Sequence, residues 1–195
     1  LLPQKNIKYA LDGQVSLQGA PIKDGEIKGK AGELTLLHTG DKIAPSHVLV
    51  VGLGKPKEFT IDTVRTLAAE SCCRLRNAGI QSFATIVHGA GSGDLDLLAC
   101  SKAFVEGSIM GLYKFDKYKT SGVRQPTIGQ LTLVDPDSDL TSEIEQGAWK
   151  GEIIAQAVNL CRDLVNEPAN YMTPTRMAEI AEIVASETGQ SLQVL

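Results

Sequence analysis

A chain of 195 residues suits one domain, or one domain and part of a second. With 43% hydrophobic and 22% charged residues it carries enough apolar material for a packed core. A formal net charge of −4 gives no general pull towards nucleic acid or anionic lipid, and no apolar run reaches the roughly 18 residues of a membrane span.

Residues 1–13 have no basic region followed by an apolar one, so they do not read as a secretory signal. Residues 7–32 are rich in Gly and Lys and have no clear period. Two strands follow, at 33–37 (ELTLL) and 47–51 (HVLVV), and the unbroken apolar run of the second predicts burial on both faces. Thr60 can cap a helix that places Ile61, Val64, Leu67, Ala68, Cys72 and Leu75 on one side, with Gly79 as its stop. A third strand is expected at 83–87 (FATIV). A helix opened by Asp94 then carries Leu98, Val105, Ile109 and Leu112 along one stripe, and a fourth strand lies at 130–134. Alternating strands and helices with short joints argue for an α/β layered fold with several parallel strands.

The longest helix is predicted over about 142–165. Ile153, Ala157, Leu160 and Leu164 form one apolar stripe, and Ile154, Val158, Cys161 and Val165 form its neighbour. Two stripes exceed what one sheet-covering helix needs, so one is expected to cover the sheet and the other a second partner. Thr173 and Pro174 start a further helix, and 191–195 (SLQVL) reads as the beginning of a strand. The cysteines Cys72, Cys73, Cys100 and Cys161 lack Cys-x-x-Cys spacing and read as buried reduced thiols.

Candidate chemistry is sparse. Gly52-x-Gly54 follows a strand, but Lys57 stands where the dinucleotide fingerprint has its third glycine and Pro56 interrupts, so a strand-ending turn is the better reading. Gly89, Gly91 and Gly93 precede a helix and could present amides to an anion, yet Asp94 and Asp96 already put negative charge there as caps. Tyr113, Phe115 and Tyr118 interleave with Lys114, Lys117, Lys119 and Arg124. Such a segment can stack on single-stranded nucleic acid, but it more often ends a helix with its rings tucked in. His38, His47 and His88 are far apart in the chain and show no ligand spacing. No nucleophile elbow or His-Glu-x-x-His occurs.

The stretch NLCRDLVNEPANYMTP, residues 159–174, closely resembles the Asn-Leu-x-Arg-Asp-Leu-x-Asn-x-Pro signature of the leucyl (cytosol) aminopeptidases, the M17 metallopeptidases. Upstream, Gly29-Lys-x-Gly32-Glu33, Val51-Gly-Leu-Gly-Lys55 and Tyr113-x-Phe-x-x-Tyr118-Lys119 resemble further family segments in the same order. The resemblance implies a macro-domain-like N-terminal domain over 1–140, with a mixed, largely parallel sheet flanked by helices. It further implies a connector helix over 141–166 and the first part of a catalytic domain over 167–195.

By the same resemblance the parent enzyme is cytoplasmic and hexameric, takes peptide substrates and removes their N-terminal residues with two divalent ions, Zn or Mn. The family's Lys, Asp and Glu ligand motifs have no counterpart in these residues. No catalytic, metal or cofactor-binding residue is therefore assigned, no ion is expected on this chain, and the chain alone is expected to be inactive. The alternative is a stand-alone macro-like module that binds ADP-ribose at Gly89–Gly93. Membrane association is not expected, and nucleic-acid binding through Lys114–Arg124 is disfavoured by the acidic balance.

Overall fold

The computed structural model describes residues 27–40, 43–89, 95–121, 127–135 and 137–194. Strand β1 (Leu34–His38) pairs antiparallel with β2 (His47–Val51), and β3 (Ser82–Thr85) pairs parallel with β4 (Gln130–Leu133). Among the described residues there is thus one ladder of each kind, and parallel pairing does not dominate as the sequence suggests. Every residue of β2 is half-buried, and among the described residues its hydrogen-bonded neighbour is β1 alone, not the two neighbours of a central strand.

Helix α1 (Ile61–Asn77) forms where its apolar period predicts. Thr60 and Thr63 cap each other's amides at 3.3 Å, and Val64, Leu67, Ala68, Cys72 and Leu75 are buried. Its end is a Schellman turn: Gly79, at φ +77°, donates to Arg76 O, and Ile80 donates to Leu75 O. Only glycine takes that left-handed position without a Cβ clash, so the helix stops there.

Helix α2 (Leu97–Gly111) starts one turn later than an opening at Asp94 implies, and Asp94 itself lies outside the described residues. Asp96 is the cap, accepting from Ala99 N at 2.9 Å, and Glu143 accepts from Leu98 N at 3.1 Å. Two carboxylates thereby satisfy amides at the positive end of the helix dipole. The predicted stripe of Leu98, Val105, Ile109 and Leu112 is only half-buried. The buried residues are Cys100, Ser101, Ala103, Phe104, Glu106, Gly107 and Ser108, on more than one side.

The reason is position, since α2 lies between α1 and the long helix α3 (Thr141–Asn166). Gly111 faces Ala69 of α1 so closely that a Cβ would come within 2.6 Å of the Ala69 Cβ. On the other side, a Cβ on Gly147 of α3 would lie 2.6 Å from Leu98 O, and one on Gly151 would lie 2.5 Å from Lys102 O. Contacts at 65 with 107 and at 69 with 111, then at 98 with 147 and at 102 with 151, show three helices running in the same direction. Parallel helices are what strands threaded by helical crossovers produce. Phe59, Val64, Leu67, Ala68, Val87, Cys100, Ala103, Phe104 and Ile144 make up the core.

Helix α3 corrects the stripe expectation. Its buried residues are Ile144, Gly147, Gly151 and Ala155, and this face packs on α2, not on a sheet. Ile153, Ile154, Leu160 and Val165, from both predicted stripes, are exposed. Cys161 is exposed too, against the expectation of a buried thiol, whereas Cys72 and Cys100 are buried. Helix α4 (Pro174–Thr188) has Thr173 as its cap, accepting from Arg176 N at 3.2 Å. Residues 191–194 form no strand, since no described strand supplies the backbone partner that a ladder requires.

Candidate functional site

The sequence landmarks meet in two pairs. In the first, the 29–33 turn closes on the end of β2: Gly32 N donates to Gly52 O (3.1 Å), Gly52 N to Glu33 O (2.7 Å) and Gly54 N to Gly29 O (3.1 Å). The Glu33 carboxylate accepts from the amides of Lys28 and Lys30 at 3.0 and 3.1 Å. The Gly52 and Gly54 amides are thus taken up by protein carbonyls, which leaves them unavailable to a phosphate and supports the turn reading. Gly89 packs its backbone onto the ring of Phe59, where a Cβ would collide. Gly91 and Gly93, the rest of the candidate anion loop, lie outside the described residues, as does Arg124.

In the second pair, residues 110–118 meet the end of α3. Arg162 donates to Met110 O at 3.0 Å, placing a cation on a last-turn carbonyl of α2. The same guanidinium lies 5.4 Å from the Tyr113 ring centre. Tyr113 Oη donates to Asp163 at 2.8 Å and accepts from Asn166 Nδ2 at 3.2 Å. Glu167, the residue that ends α3, accepts from both Lys117 Nζ and Tyr118 Oη, and its side chain is only 9% exposed. The Tyr118 ring lies 5.9 Å from Phe115 and 5.4 Å from Tyr171, which stands in the turn closed by Pro168 O.

The electrostatics follow from these contacts. Hydrogen bonds from Lys117 and Tyr118 hold the Glu167 carboxyl below its ordinary range. The hydrogen bond to Glu167 raises the Lys117 ammonium and the Tyr118 phenol. Burial, reinforced by Asp163, pushes Tyr113 up. This set of donors and acceptors is matched one to another, so it can hold a chain direction rather than activate a nucleophile. Tyr113, Lys117 and Tyr118 are engaged within the protein, which removes three groups from the single-strand stacking reading.

Arg162 on Met110 O and Glu167 between Lys117 and Tyr118 were not assigned roles by sequence reasoning. The available signal was the coincidence of an Arg-Asp-x-x-x-Glu run with an aromatic-lysine run, two complementary sets about fifty residues apart. Similarly, Gly107-x-x-x-Gly111 and Gly147-x-x-x-Gly151 are small-residue pairs at helical spacing, a sequence mark of close helix approach. His38 and His47, which the sequence leaves far apart, are cross-strand partners with ring centres 4.4 Å apart. His88 lies against Phe104, and burial pushes its pKa down to about 4. No group of three or more His, Cys, Asp or Glu able to hold a metal occurs among the described residues, and none of their helices is long and apolar enough to cross a membrane.

Solved structures share this fold. A bottromycin maturation enzyme, BotP, in complex with Mn matches 88% of this chain and 34% of its own, at a TM-score of 0.72 and 24% identity. A mutant tomato leucine aminopeptidase matches 88% of this chain and 32% of its own, at 0.70 and 24%. Curated relatives include a probable cytosol aminopeptidase of Alkaliphilus metalliredigens (strain QYMF), 29% identical over 97% of this chain. Another, of Solibacter usitatus (strain Ellin6076), is 34% identical over 88%. The chain spans only 38% and 34% of their respective lengths. The family model for the N-terminal domain of the cytosol aminopeptidase family matches residues 6–122, and the chain belongs to that family.

Proposed function

We propose that this chain supplies the N-terminal domain and connecting helix of a leucyl-type aminopeptidase. The domain, macro-like in its layering, spans 1–140, the connector 141–166, and residues 167–195 open a catalytic domain. In this reading the parent enzyme is a cytoplasmic hexamer that removes N-terminal residues from peptides, and a pair of divalent ions in the catalytic domain supplies the hydrolytic chemistry. The bound Mn of the BotP structure supports the choice of divalent ions. In this reading those ions belong to the catalytic domain of the parent, and no catalytic step is routed through this chain.

The observation that carries the reading is the asymmetry of α3. One face is fixed to α2 by Gly147, Gly151 and Ala155, and the end is tied by Arg162, Asp163 and Glu167. Along an adjoining face, Ile154, Ala157, Val158, Cys161 and Val165 line an apolar groove, with Val165 84% exposed. An apolar strip of that length on a rigid helix is an interface surface, and the catalytic domain is the partner proposed for it. No described residue favours the ADP-ribose module over this reading.

Cys161 reports on the cover directly. In the 195-residue chain it should react with an aromatic disulfide reagent at least about tenfold faster than Cys72 and Cys100, whose thiols burial pushes up. In the full-length parent, Cys161 should be protected. Equal Cys161 rates in the two proteins would rule out the proposed interface. Mn-dependent release of leucine from a leucyl anilide by the purified chain would place catalysis inside it and refute the assignment.

A further inference from the structure

The β1–β2 hairpin brings together two imidazoles that the aminopeptidase reading leaves unused. Thr39 N donates to Ser46 O and Gly52 N donates to Glu33 O, so 39 with 46 and 33 with 52 are hydrogen-bonded positions of the ladder. His38 and His47 therefore form a non-hydrogen-bonded pair, the kind in which facing side chains stand closest on one side of the sheet. Beside the pair, Thr39 Oγ1 donates to Pro45 O at 2.7 Å. His38 is exposed and His47 half-buried, so both rings reach solvent.

We propose that His38 and His47 form a two-imidazole site for a late first-row divalent ion of the Ni²⁺, Cu²⁺ or Zn²⁺ class. Two imidazoles bound to one ion through nitrogens at about 2.1 Å hold their ring centres roughly 4.5–5 Å apart. Their 4.4 Å separation of ring centres is close to that spacing. Ser46 Oγ lies 2.9 Å from His47 Nδ1. An Nδ1–H donated to that hydroxyl fixes the ring and leaves the Nε2 lone pair free, the outer-sphere support that metal-binding histidines ordinarily have. Remaining coordination positions fall to water, so the site is an open two-point clamp rather than a closed structural centre.

The test is isothermal titration of the untagged, reduced 195-residue chain with NiCl₂, repeated on His38→Ala, His47→Ala and His88→Ala. Circular dichroism confirms that each variant keeps its helices. The expected result is one ion per chain, with affinity at least about tenfold lower in both His38→Ala and His47→Ala and unchanged in His88→Ala. Unchanged affinity in either hairpin variant would show that the pair is not the site. Absence of binding by the parent sequence up to millimolar Ni²⁺ would show that the two rings serve only as a cross-strand contact.

Discussion

Replacing Gly147 by Ala isolates the contact that sets the position of α3. A Cβ there would lie 2.6 Å from Leu98 O, 2.7 Å from Ser101 Cβ and 3.2 Å from Lys102 N. Ordinary carbon–oxygen contact needs about 3.3 Å, so α3 must back away from α2 by roughly 0.7 Å. The obstacle is a helix backbone, which cannot rotate aside as a side chain would. Overpacking of this kind costs about 1–3 kcal/mol, whereas Ala in place of Gly inside a helix contributes about 1 kcal/mol of stability. Because backbone blocks the Cβ, the upper part of that range applies, about 2–3 kcal/mol, and the net expectation is a loss of about 1–2 kcal/mol. With an m-value near 2 kcal/mol/M, the urea midpoint followed by circular dichroism should fall by about 0.5–1 M at constant slope. Gly151→Ala should behave alike, and the double variant should cost less than the sum, because both insertions push the same helix the same way. A midpoint that stays put or rises would mean that helix propensity governs this position and that the two helices are not in the contact described.

His88 should make stability depend on pH. Burial lowers its folded pKa from 6.5 to about 4, so the unfolded chain takes up a proton in that window and the folded chain does not. Its contribution is complete above pH 6.5 and should be lost, on the order of 3 kcal/mol, as pH falls to about 4. His88→Gln should flatten that part of the profile of urea midpoint against pH, and an unaltered slope would clear His88 of the role. At the joint, Glu167→Gln should raise amide hydrogen exchange across 166–172 while leaving exchange in α1 unchanged. Because the Glu167 carboxyl is depressed, its contribution is present above the ordinary carboxylate range and lost as pH falls below it; Lys117, being raised, keeps its share until pH climbs past the ordinary ammonium value. Protection at 166–172 that survives both the substitution and pH 3 would show that Glu167 does not hold the joint.

Where the elements lie was largely legible because local chemistry decides it. Thr60, Gly79, Thr173 and Pro174 are capping and stop residues whose effect is confined to one turn, and the helices begin and end by them. Hydrophobicity disclosed the buried face of α1, but not those of α2 and α3. In α2 and α3 the buried residues are mostly Gly, Ala, Ser and Cys, with Phe104, Glu106 and Ile144 beside them, and most of the larger apolar residues that carry the period point elsewhere. Strand pairing was misjudged for a related reason: the run at 47–51 carries the residue types of a central strand, yet which neighbour pairs with it is a tertiary matter. Of the site, the motif segments stood out in the sequence, but their pairwise contacts needed the fold to bring 113–118 to 159–167.

Close helix packing and the polar joint act on α3 at different places, and neither would suffice alone. The glycine contacts at 147 and 151 hold its first half at a fixed distance from α2, but a contact between small residues resists rotation only weakly. The second half, beyond Ala155, has no buried residue and would be free to pivot. Arg162 on Met110 O lies some eleven residues past Gly151, roughly 16 Å along the axis. A restraint at that distance resists angular motion far better than one beside the pivot. Asp163 and Glu167 add further ties on the Tyr113–Tyr118 segment, which itself issues from the end of α2. Both restraints therefore refer α3 to one neighbour, and its exposed apolar groove keeps a defined direction relative to the core without being covered by it.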